Sequence, residues 1–375
     1  MPYQICTRCI MDTSDPAISF DTKGYCNHCT TALRRMADEY LPNAKGQNNI
    51  SNMVARLRQD GQGGKYDCIL GLSGGVDSSY LAWKSREWGL RILLFHVDGG
   101  WNTEESTHNV QTLAERLGYD LHIHTIDWEE MRDVQVAYLK SGLSNLDVPQ
   151  DHAFFAVLFK KCEEYGIRHW LSGMNLVSES ILPASWGHPG LDGRQLVAVH
   201  DKFGKHPLRT FPVISFWDCA RFYGKIPFFS RIHVHTPLNN MPYDVFTARK
   251  TLENECGWKD YGQKHEESRF TKLFQNHILP QRFGYDKKRA HYSSLIVAGI
   301  MTRDEAMEAM QHSAYTPETL ENDISYVCEL LGLTHAEWDS LMRAPKRYWQ
   351  DYPSWGFYIN LARKIKQLLR CWKKR

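Results

Sequence analysis

The chain has 375 residues, 42% hydrophobic and 23% charged, which is length and apolar content enough for a sizeable core and more than one domain. Lys and Arg (45) nearly balance Asp and Glu (43), and a formal net charge of +2 lacks the strongly basic balance of a dedicated nucleic-acid binder. No apolar run approaches the ~18 residues of a membrane span, and no basic-then-apolar leader opens the chain, so a cytoplasmic protein without a transmembrane segment is expected.

Cys6-Thr7-Arg8-Cys9 and Cys26-Asn27-His28-Cys29 form two C-x-x-C pairs with sixteen residues between them. This is the spacing of a structural zinc site, in which four thiolates on two knuckles close a tetrahedral shell and leave no position for a catalytic water. So short a segment cannot build its own core, and Zn²⁺ on Cys6, Cys9, Cys26 and Cys29 would supply much of its folding free energy. His28 reads as a solvated knuckle residue. Two helical patterns follow, around Leu33–Leu41 and Ile50–Leu57, and Gly61-Gln62-Gly63-Gly64 reads as a linker. The expected division is a zinc module with linker helices over 1–60, a nucleotide domain with an insertion over 61–240, and a helical region over 241–375.

Tyr66 to Ser79 reads as a buried strand, Cys68 to Leu72, running into Ser73-Gly74-Gly75 and a helix that begins near Val76. Two adjacent glycines let successive N–H groups converge on one phosphate, and the helix N-terminus adds its dipole. Ser73, Ser78 and Ser79 offer hydroxyls. Asp77 would repel a phosphate unless Mg²⁺ lay between them, which assigns it to the metal. The plainer alternative is a strand-to-helix turn with capping serines. The run Ser-Gly-Gly-Val-Asp-Ser-Ser after an apolar strand resembles the pyrophosphate loop of the ATP-pyrophosphatase (PP-loop) superfamily. That resemblance implies cleavage of ATP to AMP and pyrophosphate, with a substrate oxygen adenylated on the way.

Helices and strands then alternate. Strands are expected over 91–97, 121–126 and 167–171, with helices between them stopped by Gly89, Gly118 and Gly166. The pattern specifies an α/β fold with a doubly wound parallel sheet, whose ligand lies at the strands' C-terminal ends. Asp98 and Gly99 stand at one such end and Gly173 and Asn175 at another, so all four are candidate nucleotide contacts. Asp98 can alternatively cap the helix beginning near Thr103. From about 180 to 235 the regularity is lost, as in insertions that carry specificity.

Residues 242–330 are again helical. They contain Lys264-His265 and Glu267-Ser268-Arg269-Phe270-Thr271, then Lys287-Lys288-Arg289-Ala290-His291. Together with the paired cysteines and the glycine loop, these runs resemble the bacterial N-acetyl sugar amidotransferases of the WbpG and PseA type over most of the chain. The resemblance implies that an acetamido group on a UDP-linked sugar becomes an acetamidino group through an adenylated intermediate, in lipopolysaccharide O-antigen or glycan synthesis. It also implies ammonia from a separate glutaminase and channelling pair like that of imidazole-glycerol-phosphate synthase, since no glutaminase nucleophile is visible here. Asp77 would anchor the metal, Lys264, Arg269, Lys287 or Arg289 would neutralise phosphate charge, and Glu267 or His265 would take a proton from the incoming ammonia. A tRNA sulfurtransferase of the same superfamily and a non-catalytic nucleotide-binding module remain as alternatives. The last stretch, 358–375, reads as a basic amphipathic helix, docked on its own domain or resting on an anionic membrane.

Overall fold

A computed structural model describes residues 2–187, 190–223, 232–262, 264 and 266–356. His265 and the basic amphipathic stretch 358–375 lie outside the described residues.

Five parallel strands form one sheet in the order β3-β2-β1-β4-β5: β1 (Cys68–Gly71), β2 (Ile92–Asp98), β3 (Asp120–Thr125), β4 (His169–Leu171) and β5 (His233–His235). Ile69 pairs with Leu93 on one side and Trp170 on the other. Every residue of β2 but Asp98 is buried, as a central strand covered on both faces requires. Alternate side chains serve opposite faces. Ile69, Leu93 and Phe95 enter one core cluster with Val134, Phe270 and Val327, while Leu70, Ile92 and Leu94 enter another with Leu113, Leu171 and Leu252. Helices on both sides of position 240 therefore cover the same sheet.

The helices are α1 (Asn27–Glu39), α2 (Ala44–Asp60), α3 (Val76–Ser85), α4 (Glu104–Leu117), α5 (Trp128–Ser141), α6 (Val148–Glu164), α7 (Leu176–Glu179), α8 (Gly193–Phe203), α9 (Phe216–Tyr223), α10 (Val245–Cys256), α11 (Arg269–Leu273), α12 (Lys287–Val297), α13 (Arg303–Ala309), α14 (Pro317–Leu331) and α15 (His335–Arg343). A π-helical stretch, Phe274–Phe283, continues α11. Helix α4 starts where Thr103 accepts a bond from Ser106 N and ends at Gly118, whose φ of 67° suits a residue without Cβ.

The described part of the segment 180–235 is more regular than its Pro, Gly and Trp content suggests. Helix α8 is anchored by buried Leu196 and Val199 and by His200, which meets Asp133 at 2.9 Å. Strand β5 has no aliphatic run to reveal it, being only His-Val-His.

The chain builds β1, β2 and β3 outward on one side of the sheet, then returns to place β4 on the other side of β1. The strand order therefore reverses between β1 and β4, and in open α/β sheets a crevice forms at the C-terminal ends of such strands.

Candidate active site

The turn after β1 opens at that crevice. Gly74 has a φ of 83°, and a Cβ there would lie 2.7 Å from Ser106 O, so only glycine fits. Neighbouring elements grip the turn from outside. Ser106 Oγ donates to Ser73 O (3.0 Å), Trp258 Nε1 to Gly74 O (2.9 Å), and Val76 N donates to Tyr261 Oη (3.2 Å). Ser73 and Ser78 come together at the mouth with their hydroxyls 3.2 Å apart, whereas Ser79 turns inward and is fully buried.

Asp77 sits in the first turn of α3, where Lys264 Nζ meets its Oδ2 at 2.6 Å and Tyr243 donates to Oδ1. The same Nζ reaches Glu179 at 2.8 Å and Ser178 Oγ at 3.0 Å. Burial opposes the Lys264 charge, but Asp77 and Glu179 outweigh it and hold the ammonium above the ordinary lysine range. Burial, reinforced by Asp77, pushes the Tyr243 phenol well up.

Glu267 arrives from a distant part of the chain. Its backbone carbonyl accepts from Thr103 N (3.0 Å), and Arg269 N donates to Trp101 O (2.9 Å), laying 267–269 across the end of β2. A Cβ on Gly75 would lie 3.3 Å from Glu267 Oε1, while Oε2 is buried without a partner among the described residues. Burial lifts this carboxyl to about 7.

The other expected contacts have local work. Asp98 Oδ1 accepts from Gly100 N (2.9 Å) and Asn102 Nδ2 (3.0 Å), so it fixes the turn after β2 rather than capping α4. Gly99 is buried against Met131 and Gln150, whose side chains a Cβ would meet at 3.4 and 3.9 Å. Gly173 allows a close backbone approach, but to Asp77 and Ser78: a Cβ would lie 2.9 Å from Ser78 N. Asn175 is the N-cap of α7, its Oδ1 accepting from Ser178 N and its Nδ2 donating to Gly173 O. The Arg269 guanidinium turns to α14, pairing with Asp323 at 2.6 Å and stacking 3.6 Å from the Tyr326 ring. Arg289 faces the cysteine module, donating to Ile10 O at 2.6 Å and pairing with Asp12 at 3.2 Å.

Sequence reasoning missed Tyr243, Tyr261 and His96. The His96 ring spans β1 and the turn after β2, with Nδ1 2.7 Å from Leu72 O and Nε2 3.0 Å from Asn102 Nδ2. Burial lowers its pKa and keeps it neutral, so Nδ1–H donates to Leu72 and Nε2 accepts from Asn102. A histidine inside an apolar strand was the one signal that could have flagged it.

Cys6, Cys9, Cys26 and Cys29 converge with all four sulfurs within 4.8 Å of one another, and among the described residues they are the only such metal-ligating group. The Cys6–Cys29 and Cys9–Cys26 sulfurs are 3.8 and 3.6 Å apart, close to the ~3.8 Å edge of a tetrahedron with ~2.3 Å Zn–S bonds. Backbone N–H groups of Cys9, Met11, Cys26 and Cys29 point at the sulfurs, as thiolates require. His28 pairs with Asp15 and takes no part. The set fits Zn²⁺. Asp77 with nearby Glu179 supplies the hard oxygen donors that Mg²⁺ takes alongside phosphates.

The glycine turn lies at the head of a parallel α/β sheet and opens at the strand-order reversal, where the resemblance to the PP-loop superfamily expects a phosphate site. Residues 267–366 match the family model described as LPS biosynthesis protein WbpG-like, C-terminal domain. That match covers 100 residues, about a quarter of the chain, and makes the C-terminal part similar to that family. An uncharacterized protein of Methanocaldococcus jannaschii is 29% identical over 130 residues, 34% of this chain and 44% of its own length, so the chain matches less than half of that relative. The structure of NMN synthetase from Francisella tularensis aligns with 81% of this chain and 98% of its own at 12% identity, with a TM-score of 0.34, too weak to carry an argument. No helix among the described residues is long and apolar enough to cross a membrane.

Proposed function

We propose that the protein is an ATP-dependent amidotransferase that converts the acetamido group of a nucleotide-linked N-acetyl sugar into an acetamidino group. An amide oxygen leaves only after activation. Attack of that oxygen on the α-phosphate of ATP releases pyrophosphate and turns the oxygen into part of AMP, which neutral ammonia then displaces from carbon. The N–H groups of the turn after β1, with Ser73 and Ser78, bind the departing pyrophosphate. Mg²⁺, when bound, neutralises charge on the phosphates. Asp77 holds the metal, and Lys264 compensates the negative charge gathered there. Glu267, with a carboxyl near 7, receives the proton lost from nitrogen. Zn²⁺ on the four cysteines is structural, and ammonia comes from a partner glutaminase.

The observation that carries this reading is the meeting of Asp77, Lys264 and Glu179 beside the glycine turn, with Glu267 against Gly75. A sulfurtransferase finds less support, because the Cys162 and Cys219 thiols are pushed up to about 12 by burial and neither is the low-pKa nucleophile such chemistry needs. The test is pyrophosphate release from ATP and Mg²⁺ with ammonium at alkaline pH, comparing UDP-linked diacetamido sugars with bulk tRNA. Sugar-dependent release, with a product about one mass unit lighter by exchange of O for NH, is expected. Release with tRNA alone would transfer the protein to the sulfurtransferases.

A further inference from the structure

Beside the Asp77 cluster, between α7, α10, the π-helical stretch and α12, lies a cavity of about 230 Å³. Among the described residues five cationic side chains line it, Arg249, Lys264, Lys272, Lys287 and Lys288, and no carboxylate does. Three of these charges are answered outside the lining: Lys264 by Asp77 and Glu179, Arg249 by Asp260 at 2.9 Å, Lys272 by Glu266 at 3.8 Å. Lys288 reaches only a neutral acceptor, His312 O at 3.3 Å. Lys287 lies 5.5 Å from the Phe274 ring and forms no ion pair among the described residues, which include every Asp and Glu of the chain. Asp147 and Asp151 attract it from a distance, and Asp147 is engaged by Thr271 Oγ1 at 3.0 Å and Gln275 Nε2 at 3.3 Å.

Lys287 and Lys288 thus face the cavity without an ion pair among the described residues, a pair of cations that suits a diphosphate diester. The rest of the wall is of another character. Gln275 and Asn276, whose amide nitrogens donate to Asp147 (3.3 Å) and Glu266 (3.5 Å), offer carbonyl oxygens that suit sugar hydroxyl and acetamido N–H groups, and Phe246, half exposed, offers a flat apolar face. Lys264 and Ser178 belong both to this wall and to the cluster around Asp77, so an occupant abuts the nucleotide site without entering the glycine turn.

We propose that the cavity is a separate acceptor site, in which Lys287 and Lys288 hold the diphosphate of a sugar nucleotide and Gln275 and Asn276 face its sugar. This rests on the amidotransferase reading for the acceptor's class and adds where and by which residues it is held. It also divides the labour of α12: Lys287, Lys288 and His291 face the cavity, whereas Arg289 and Ser293 are held by the cysteine module through Ile10 and Asp12.

The test is calorimetric titration of the full-length protein with UDP-N-acetylglucosamine and UDP-linked diacetamido sugars, and separately with ATP and Mg²⁺ and with inorganic pyrophosphate. The wild type is expected to bind a sugar nucleotide without ATP. Lys287→Gln should weaken that binding at least tenfold and Lys288→Gln several-fold, Lys287→Arg should recover most of it, and ATP affinity should stay within twofold throughout. Unchanged thermal midpoints would exclude misfolding. Sugar-nucleotide binding that is indifferent to both lysines overturns the site but leaves the acceptor class standing. Equal losses for ATP, pyrophosphate and the sugar nucleotide would make the cavity part of the ATP site and overturn it likewise. A wild type that binds no sugar nucleotide overturns both.

Discussion

The four-cysteine module and the turn after β1 are both short stretches whose backbone N–H groups converge on something negative, thiolates in one and the proposed phosphates in the other. They are held in opposite ways. The turn grows from a strand buried in the sheet and is gripped by α4, Trp258 and Tyr261, so its shape precedes any ligand. The module's own core is small, and its four sulfurs are its centre. It leans on the rest of the protein through Arg303, which donates to Cys6 O and Cys9 O, and through Arg289. A site preformed by packing should tolerate loss of its ligand, and one built around its ligand should not.

The largest effect is therefore expected from removing zinc or from Cys26→Ser. Loss of a structural metal worth on the order of 10 kcal/mol should unfold the module and lower the thermal midpoint while stoichiometric zinc is lost. A metal-free protein with an unchanged midpoint would break the comparison. Next comes Lys264→Ala, which strands Asp77 and Glu179. Pyrophosphate release should fall by about 10²-fold or more, with a stability cost of about 2 kcal/mol, less than for a fully buried pair because the lysine is partly exposed. Gly173→Ala puts a methyl group against the first turn of α3 and should cost about 1–3 kcal/mol in denaturant titration, with weaker ATP binding.

Glu267→Gln sharpens the picture through pH. A carboxyl raised from 4.5 to about 7 keeps its proton in the folded state across a window where the unfolded chain has released it, so stability falls as pH rises from about 4.5 to 7. The glutamine variant should lack that slope, gain about 1 kcal/mol above pH 7, and lose the rise in turnover through neutrality. A stability profile with the same slope as wild type would remove the raised carboxyl from the account. Arg269→Ala should act least on the site. It loses the Asp323 pair, worth about 1 kcal/mol, and pyrophosphate release per folded molecule should change less than threefold.

The parts of this structure that follow short-range rules were legible in the sequence. The cysteine spacing is a ligand geometry written along the chain, Gly74 with its neighbours is a turn that only glycine can make, and the aliphatic run of β2 belongs to a strand with no exposed face. What was not legible depends on distant residues arriving. Tyr243 precedes an ordinary helix cap, and nothing near it says that its hydroxyl meets Asp77. Arg269 and Arg289 lie in suggestive charged runs, yet α14 and the cysteine module take them. Asn175 suits a ligand chemically, but a four-residue helix needs its N-cap.

The Asp77–Lys264 pair joins groups 187 positions apart. At the ~5–20 residues per second of protein synthesis, about 10–40 s separate their emergence from the ribosome. Throughout that interval the glycine turn exists without its ammonium, and the Thr103–Glu267 backbone bond that draws the tail across the sheet has no donor–acceptor pair to form. The proposed nucleotide site is therefore completed only late in the life of the nascent chain. A chain released early would carry an open, acidic crevice and nothing to close it.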